Sequence, residues 1–272
     1  MKIKVIGTSS LAQACRRVAE ERPEWVLTQE DYPDRIIYCG EQAPAESQLR
    51  QWADKTGGIL CATTVAWPEE MGKQARLQIE TGSLKAMRPE CFRPYVAGVR
   101  SALGSQWIGA VGAVNLTRKR LGPFSGGRDA LSQCGMEEVS VILSLLGTPQ
   151  RLFCTAADLK EAGQQVSLTL QMGNGAVANI QAVQGGKGKP YFQYEYAGQY
   201  GLADYDSRQG ALRLDGEGAL LEDWPWESCA QAVEEALSSP NDNGMGDLLR
   251  IQMGARRSLK RRQVVEWKGA EL

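Results

Sequence analysis

Short apolar runs alternate with amphipathic stretches through the first third of the chain. Lys2–Gly7 (KIKVIG) reads as a buried strand, and the polar residues Thr8–Ser10 read as a tight turn. Leu11, Cys15 and Val18 recur at helical spacing through Ser10–Glu21, and Pro23 stops that helix. Trp25–Thr28, Arg35–Gly40 (RIIYCG) and Gly58–Thr63 (GILCAT) read as further strands, with helices over Gln48–Thr56 and Glu69–Gly82. Strands alternating with helices imply a parallel, doubly wound sheet of Rossmann type.

The pattern changes around Ser83–Pro94. A helix over Tyr95–Leu103 leads to a strand over Ile108–Lys119, a loop rich in Gly, Pro and Ser at Gly122–Gly127, and one long helix, Ala130–Leu146. Arg151–Ala156, Gln165–Met172 and Ala176–Val183 alternate apolar and polar residues, with turns such as Gly173-Asn174-Gly175 between them. Strands over Gln193–Ala197 and Ala211–Asp215, helices over Trp226–Leu237 and Gly246–Ser258, and a strand at Val264–Trp267 follow. The pattern predicts two domains: a shortened Rossmann-like α/β domain over 1–89, and an α+β domain with a large, mostly antiparallel sheet over 90–272.

Composition narrows the chemistry. The formal net charge is −1, so no global field draws the chain to nucleic acid or an anionic membrane. The first residues read as a strand and a polar turn rather than an export signal, and no apolar stretch has the length of a membrane span. The seven cysteines are scattered singly, which reads as reduced thiols in a cytoplasmic protein. Histidine is absent, which removes the commonest general base, and no residues have metal-ligand spacing.

Four stretches together resemble the Gfo/Idh/MocA oxidoreductases. Val5-Ile6-Gly7-Thr8-Ser9-Ser10-Leu11-Ala12 looks like that family's dinucleotide turn. Ile59-Leu60-Cys61-Ala62-Thr63-Thr64 stands at the place of its Cys-Glu-Lys-Pro segment. Cys91-Phe92-Arg93-Pro94 is similar to the Arg-Phe-x-Pro that leads into its second domain. Gly126-Gly127 through Gly135 to Gly147-Thr148-Pro149 is similar to its Gly-rich loop and catalytic helix. No single motif is specific; their order and spacing along nearly the whole chain carry the resemblance.

The resemblance implies an NAD(P) site at Gly7, Thr8, Ser9, Ser10 and Leu11, at Glu30 for the ribose, and at Cys39 and Gly40. This chain departs from the pattern there. Ser9 replaces the second glycine, where a side chain would crowd the pyrophosphate. Only about six residues lie between the strand Trp25–Thr28 and the strand at Arg35, too few for the family's next helix and strand. The resemblance also implies catalytic positions at Thr63, Gln133 and Glu137, where the family has Lys, Asp and His. Of the three only Glu137 can exchange a proton, and only if its surroundings raise its pKa; an apolar stripe and the absence of a nearby Lys would do so. The alternative for Glu137 and Glu138 is a pair of carboxylates on a partly solvated helix face.

Two functions follow. One is a degenerate relative in which NAD(P) binding is weak or lost and the inter-domain cleft takes a small-molecule ligand or a partner protein. The other is an atypical NAD(P)-dependent oxidoreductase acting on a small polar or sugar-like substrate. The family's face-to-face stacking of large sheets also implies a homodimer. Cys61 and Cys134 read as core thiols rather than nucleophiles. Arg256–Arg262 reads as a helix C-terminus whose cations complement the macrodipole, and 185–189 as a hairpin or rim loop.

Overall fold

The structure, a computed structural model, describes residues 1–121, 129–159, 163–185, 188–215, 217–220, 225–239 and 244–267. In chain order the elements begin β1 (Lys2–Ile6), α1 (Ser10–Glu20), β2 (Val26–Leu27), β3 (Arg35–Tyr38), α2 (Glu46–Ala53), β4 (Ile59–Ala62), α3 (Lys73–Glu80), β5 (Leu84–Met87), α4 (Pro94–Gly104) and β6 (Val111–Arg120). They continue with α5 (Met136–Leu146), β7 (Pro149–Asp158), β8 (Gln164–Met172), β9 (Val177–Gln184), β10 (Tyr191–Gly198), β11 (Leu202–Asp206), β12 (Ala211–Leu214), β13 (Glu217–Leu220), α6 (Pro225–Ser238), α7 (Met245–Arg261) and β14 (Val265–Glu266). The chain forms two units: Met1–Phe92 with Trp224–Arg250, and Arg93–Asp223 with Ile251–Leu272.

The first unit holds a parallel five-stranded sheet in the order β2-β1-β3-β4-β5. Its strands are apolar because both faces are covered: Ile3, Ile36, Ile37, Ile59, Leu60 and Leu84 are at most 2 % exposed. The expected shortening is present. β2 is two residues long, and Leu27 pairs with Ile3 near the start of β1. The Asp34 amide then donates to the Lys2 carbonyl, which launches β3 on the other side of β1. Because β2 stops so low, the chain climbs almost nowhere before crossing, and the seven residues 28–34 suffice without a helix.

The division at 89/90 needs one correction. Residues 224–250 return to the first unit rather than remaining in the second. The reason is the apolar stripe of α6: Cys229, Ala232, Val233 and Ala236 recur at helical spacing and are fully buried. The Cys229 Sγ lies 3.3 Å from the Cys15 Sγ of α1. β5 also escapes the sequence pattern, since Lys85 interrupts its apolar run; the Lys85 amine donates to the Ser239 carbonyl.

The second unit is built on a nine-stranded sheet, β13-β12-β11-β10-β6-β9-β8-β7-β14. Every neighbouring pair is antiparallel except β6 and β9. One face is core: Val114, Leu116, Val166, Leu168, Leu170, Ile180 and Tyr194 are buried. The opposite face is polar and carries a ladder across four strands. The Asn115 amide donates to Glu195 (3.0 Å), the Asn179 amide to Asn115 (3.3 Å), and the Thr169 hydroxyl to Asn179 (3.1 Å). The expected single helix over Ala130–Leu146 is instead a turn of π-helix, Leu131–Gly135, followed by α5.

Candidate functional site

At the end of β1 the turn keeps one glycine for a physical reason. Gly7 has φ +123°, and a Cβ there would lie 2.6 Å from the Cys39 carbonyl oxygen. The structure thus brings Gly7 and Cys39 together, and Gly40 follows, packed under the Tyr38 ring. The Tyr38 hydroxyl donates to the Gln42 carbonyl (2.8 Å). Thr8, Ser9 and Ser10 are exposed and Leu11 is half-buried. Ser9 is the N-cap of α1: its Oγ accepts from the Ala12 amide at 3.2 Å. One amide at the start of α1 is therefore already occupied. Arg16, which the sequence pattern does not single out, donates to the Gly7 carbonyl at 2.6 Å.

Glu30 stands elsewhere. Its carboxylate accepts from Lys2 Nζ at 2.7 Å, and its carbonyl accepts from Lys4 Nζ at 3.2 Å. Both lysines lie on the first half of β1. The glycine turn begins three residues beyond Lys4, roughly 10 Å of strand. Thr63 follows β4 and is buried, with a relative exposure of 7 %. The neighbouring Cys61 thiol is pushed above its usual pKa by burial first and by the nearby Cys39 second. All seven cysteines are buried free thiols, and burial pushes that of Cys134 up to about 12, as core packing requires. Among the described residues no three His, Cys, Asp or Glu side chains come together as a metal site.

Gln133 lies in the π-turn and is half-buried. That turn is anchored at its start: Asp129 accepts from the Ser132 amide (2.7 Å) and from Arg256 of α7 (2.7 Å). Arg256 is thereby a structural ion-pair partner rather than only a helix-end cation. The Gly-rich loop expected over Gly122–Gly127, and residues 186 and 187 of the expected hairpin, lie outside the described residues.

Glu137 and Glu138 correct both sequence readings, because neither is solvated and neither lacks a partner. Their side chains are 9 % and 0 % exposed. Arg118 Nη1 lies 3.0 Å from Glu137, and Arg120 donates to the same carboxylate. Arg118 Nε donates to Glu138, and its Nη2 to the Tyr194 hydroxyl at 2.8 Å. The Tyr194 hydroxyl donates to Glu138 (3.0 Å) and accepts from Tyr95 (2.8 Å). Burial alone would push the Glu137 carboxyl up. Arg120, Arg118 and Arg93 outweigh burial, and the group is held below the ordinary carboxylate value. The sequence does carry a signal for this cluster. Val114, Leu116, Arg118 and Arg120 alternate onto the core face of β6, and two glutamates interrupt an apolar helix, so opposite charges occupy facing core positions.

A parallel Rossmann-like sheet with a second unit built on a large, mostly antiparallel sheet is the fold expected from the Gfo/Idh/MocA resemblance. No protein-family model matches the sequence, and no curated protein matches it. Solved structures do match. GenD2 from gentamicin A biosynthesis, in complex with NAD, is 16 % identical with a TM-score of 0.76, over 99 % of this chain and 97 % of that one. The UDP-N-acetylglucosamine 3-dehydrogenase GnnA from Acidithiobacillus ferrooxidans is 15 % identical with a TM-score of 0.74, over 96 % and 98 %. A myo-inositol dehydrogenase from Corynebacterium glutamicum is 12 % identical with a TM-score of 0.71, over 99 % of each chain. At these identities the likeness is one of fold.

Proposed function

We propose that the chain is a degenerate member of the Gfo/Idh/MocA oxidoreductases that binds a small polar ligand through its second unit and has lost acid–base catalysis. The observation that carries this reading is the pairing of Glu137 with Arg118 and Arg120. Glu137 is the one proton-exchanging group at the three positions the resemblance implies. A carboxylate held ionised by two guanidinium groups is a poor general acid, and its lowered pKa makes it a weak base at neutral pH. Weak or lost NAD(P) binding goes with it: Ser9 occupies an amide of the turn, and Glu30 is tied to Lys2 below the level where a ribose would be held. Titration of the purified protein with NADH and NADPH, read by nucleotide fluorescence, tests this. Micromolar binding with turnover on any polyol or sugar overturns it.

A second reading, an atypical NAD(P)-dependent oxidoreductase on a small polar or sugar-like substrate, is favoured by Gly7, whose φ and contact with Cys39 keep the backbone form of a dinucleotide turn. A similar structure, GenD2, carries NAD. A homodimer formed through the polar face of the nine-stranded sheet fits either reading, and light scattering at micromolar concentration tests it. Cytoplasmic residence fits seven free thiols. Among the described residues no helix is long and apolar enough to cross a membrane.

A further inference from the structure

The cluster of the second unit, with Arg118, Glu137 and Glu138 buried and Arg93 and Arg120 half-buried at its edge, is unevenly charged. Three guanidinium groups, Arg93, Arg118 and Arg120, accompany two carboxylates, Glu137 and Glu138. Arg118 has three polar partners, and Arg120 is paired with Glu137. Arg93 differs. It is the N-cap residue of α4, and among the described residues its guanidinium has no hydrogen-bond or ion-pair partner. What it has is a ring. Its Cζ lies 5.3 Å from the centroid of Phe192, and Arg118 lies 4.9 Å from the same ring. Tyr205 stacks on the Phe192 ring and Tyr95 packs tilted against it.

We propose that Arg93 is an anion-recognition residue and that the ligand of this unit carries a carboxylate; this rests on the ligand-binding reading above and gives its substrate class. A guanidinium held over a ring face keeps its N–H donors, and a guanidinium takes a planar carboxylate through two parallel hydrogen bonds. The charge count selects the anion. One negative charge completes the neutralisation of the cluster. A dianionic phosphate would place its second charge near Glu137 and Glu138, where the described residues of the cluster leave no further cation to meet it. The half-buried Phe192 ring beside Arg93 gives the rest of the ligand an apolar contact, and the buried tyrosines behind it lower the local dielectric, which strengthens the ion pair.

The test uses the full chain and sodium acetate as probe, at constant ionic strength held with chloride. The readout is the 15N–1H resonance of the Arg93 Nε–H in the native protein and, in the native protein and both variants alike, that of the Arg118 Nε–H, which lies over the same ring. The expected result is a saturable shift of Arg93 with acetate and a weaker one with inorganic phosphate. Arg93→Lys keeps the charge and loses the fork, and should weaken acetate by about tenfold. Arg93→Gln should abolish saturation. A linear response of the native protein indistinguishable from that to chloride overturns the proposal, as does an unchanged half-saturation point in Arg93→Lys. Should Arg93→Gln fail to fold, those two measurements still decide. None of them involves a nicotinamide. NADH binding with turnover would therefore remove the degenerate reading and leave the carboxylate site standing, and loss of the acetate response would do the reverse.

Discussion

The two units carry their ion pairs at different depths. In the first, every ion pair among the described residues keeps a partner at least 40 % exposed: in Lys2–Glu30, Arg17–Glu21 and Arg22–Glu234 both side chains are, and the more buried Arg88 and Arg250 pair with Glu235 and Asp247 at that level, while the core is mostly aliphatic with buried thiols and one buried carboxylate, Glu90. In the second, Arg118, Glu137 and Glu138 lie in the core, no more than 9 % exposed, and the Tyr194 hydroxyl hydrogen-bonds both Arg118 and Glu138. Exposed pairs contribute little, because solvent and salt screen them and two long side chains must be ordered. A buried cluster is a different object. Its members have given up hydration and depend on one another, so the loss of one strands the rest. A unit of the first kind can lose surface charges and keep its fold. A unit of the second kind holds a fixed polar arrangement that its surroundings cannot replace.

The sharpest way to break this contrast is Arg118→Met. It leaves Glu137 and Glu138 in the core without their shared partner and should cost about 3–5 kcal/mol in urea unfolding. A cost no larger than that of a surface substitution would mean that the cluster is solvated. Acid probes the same group without mutation. The folded Glu137 has a pKa below its ordinary value, so the stability it contributes is fully present above about pH 4.3, the unfolded value, and is lost as pH falls through the folded value. Unfolding free energies measured downward from neutral pH should decline in that window, and more steeply than in Glu137→Gln.

In the first unit the sensitive point is backbone rather than charge. Gly7→Ala forces a Cβ against the Cys39 carbonyl at a positive φ and should cost about 1–3 kcal/mol, read as a lowered thermal midpoint. An unchanged midpoint would show the turn to be more adaptable than its geometry implies. The smallest effect belongs to Glu30→Gln, which breaks an exposed pair with Lys2 and should leave the thermal midpoint unchanged within error. A large drop there would erase the distinction between the two units.

Much of the fold was legible because strands of a parallel sheet, covered on both faces, read as apolar runs such as KIKVIG and GILCAT. The short β2–β3 connection was legible from residue count alone, since a crossover helix has a minimum length. Alternation placed Val166, Leu168 and Leu170 on one buried face of β8. β5 stayed hidden because Lys85 breaks its pattern, and that lysine makes sense only beside the Ser239 carbonyl. The return of α6 to the first unit was hidden too; a buried stripe shows that a helix packs, but not against what.

The candidate site divides along the same line. Residue types by themselves determined that no histidine is available, that Thr63 and Gln133 cannot exchange protons, and that Ser9 is suited to cap a helix. Tertiary structure decided the state of Glu137. Its pKa depends on Arg93, Arg118 and Arg120, each at least 17 residues away along the chain. Electrostatic energy follows distance through space and the polarisability of what lies between, and the sequence specifies neither until β6, α4 and α5 have packed.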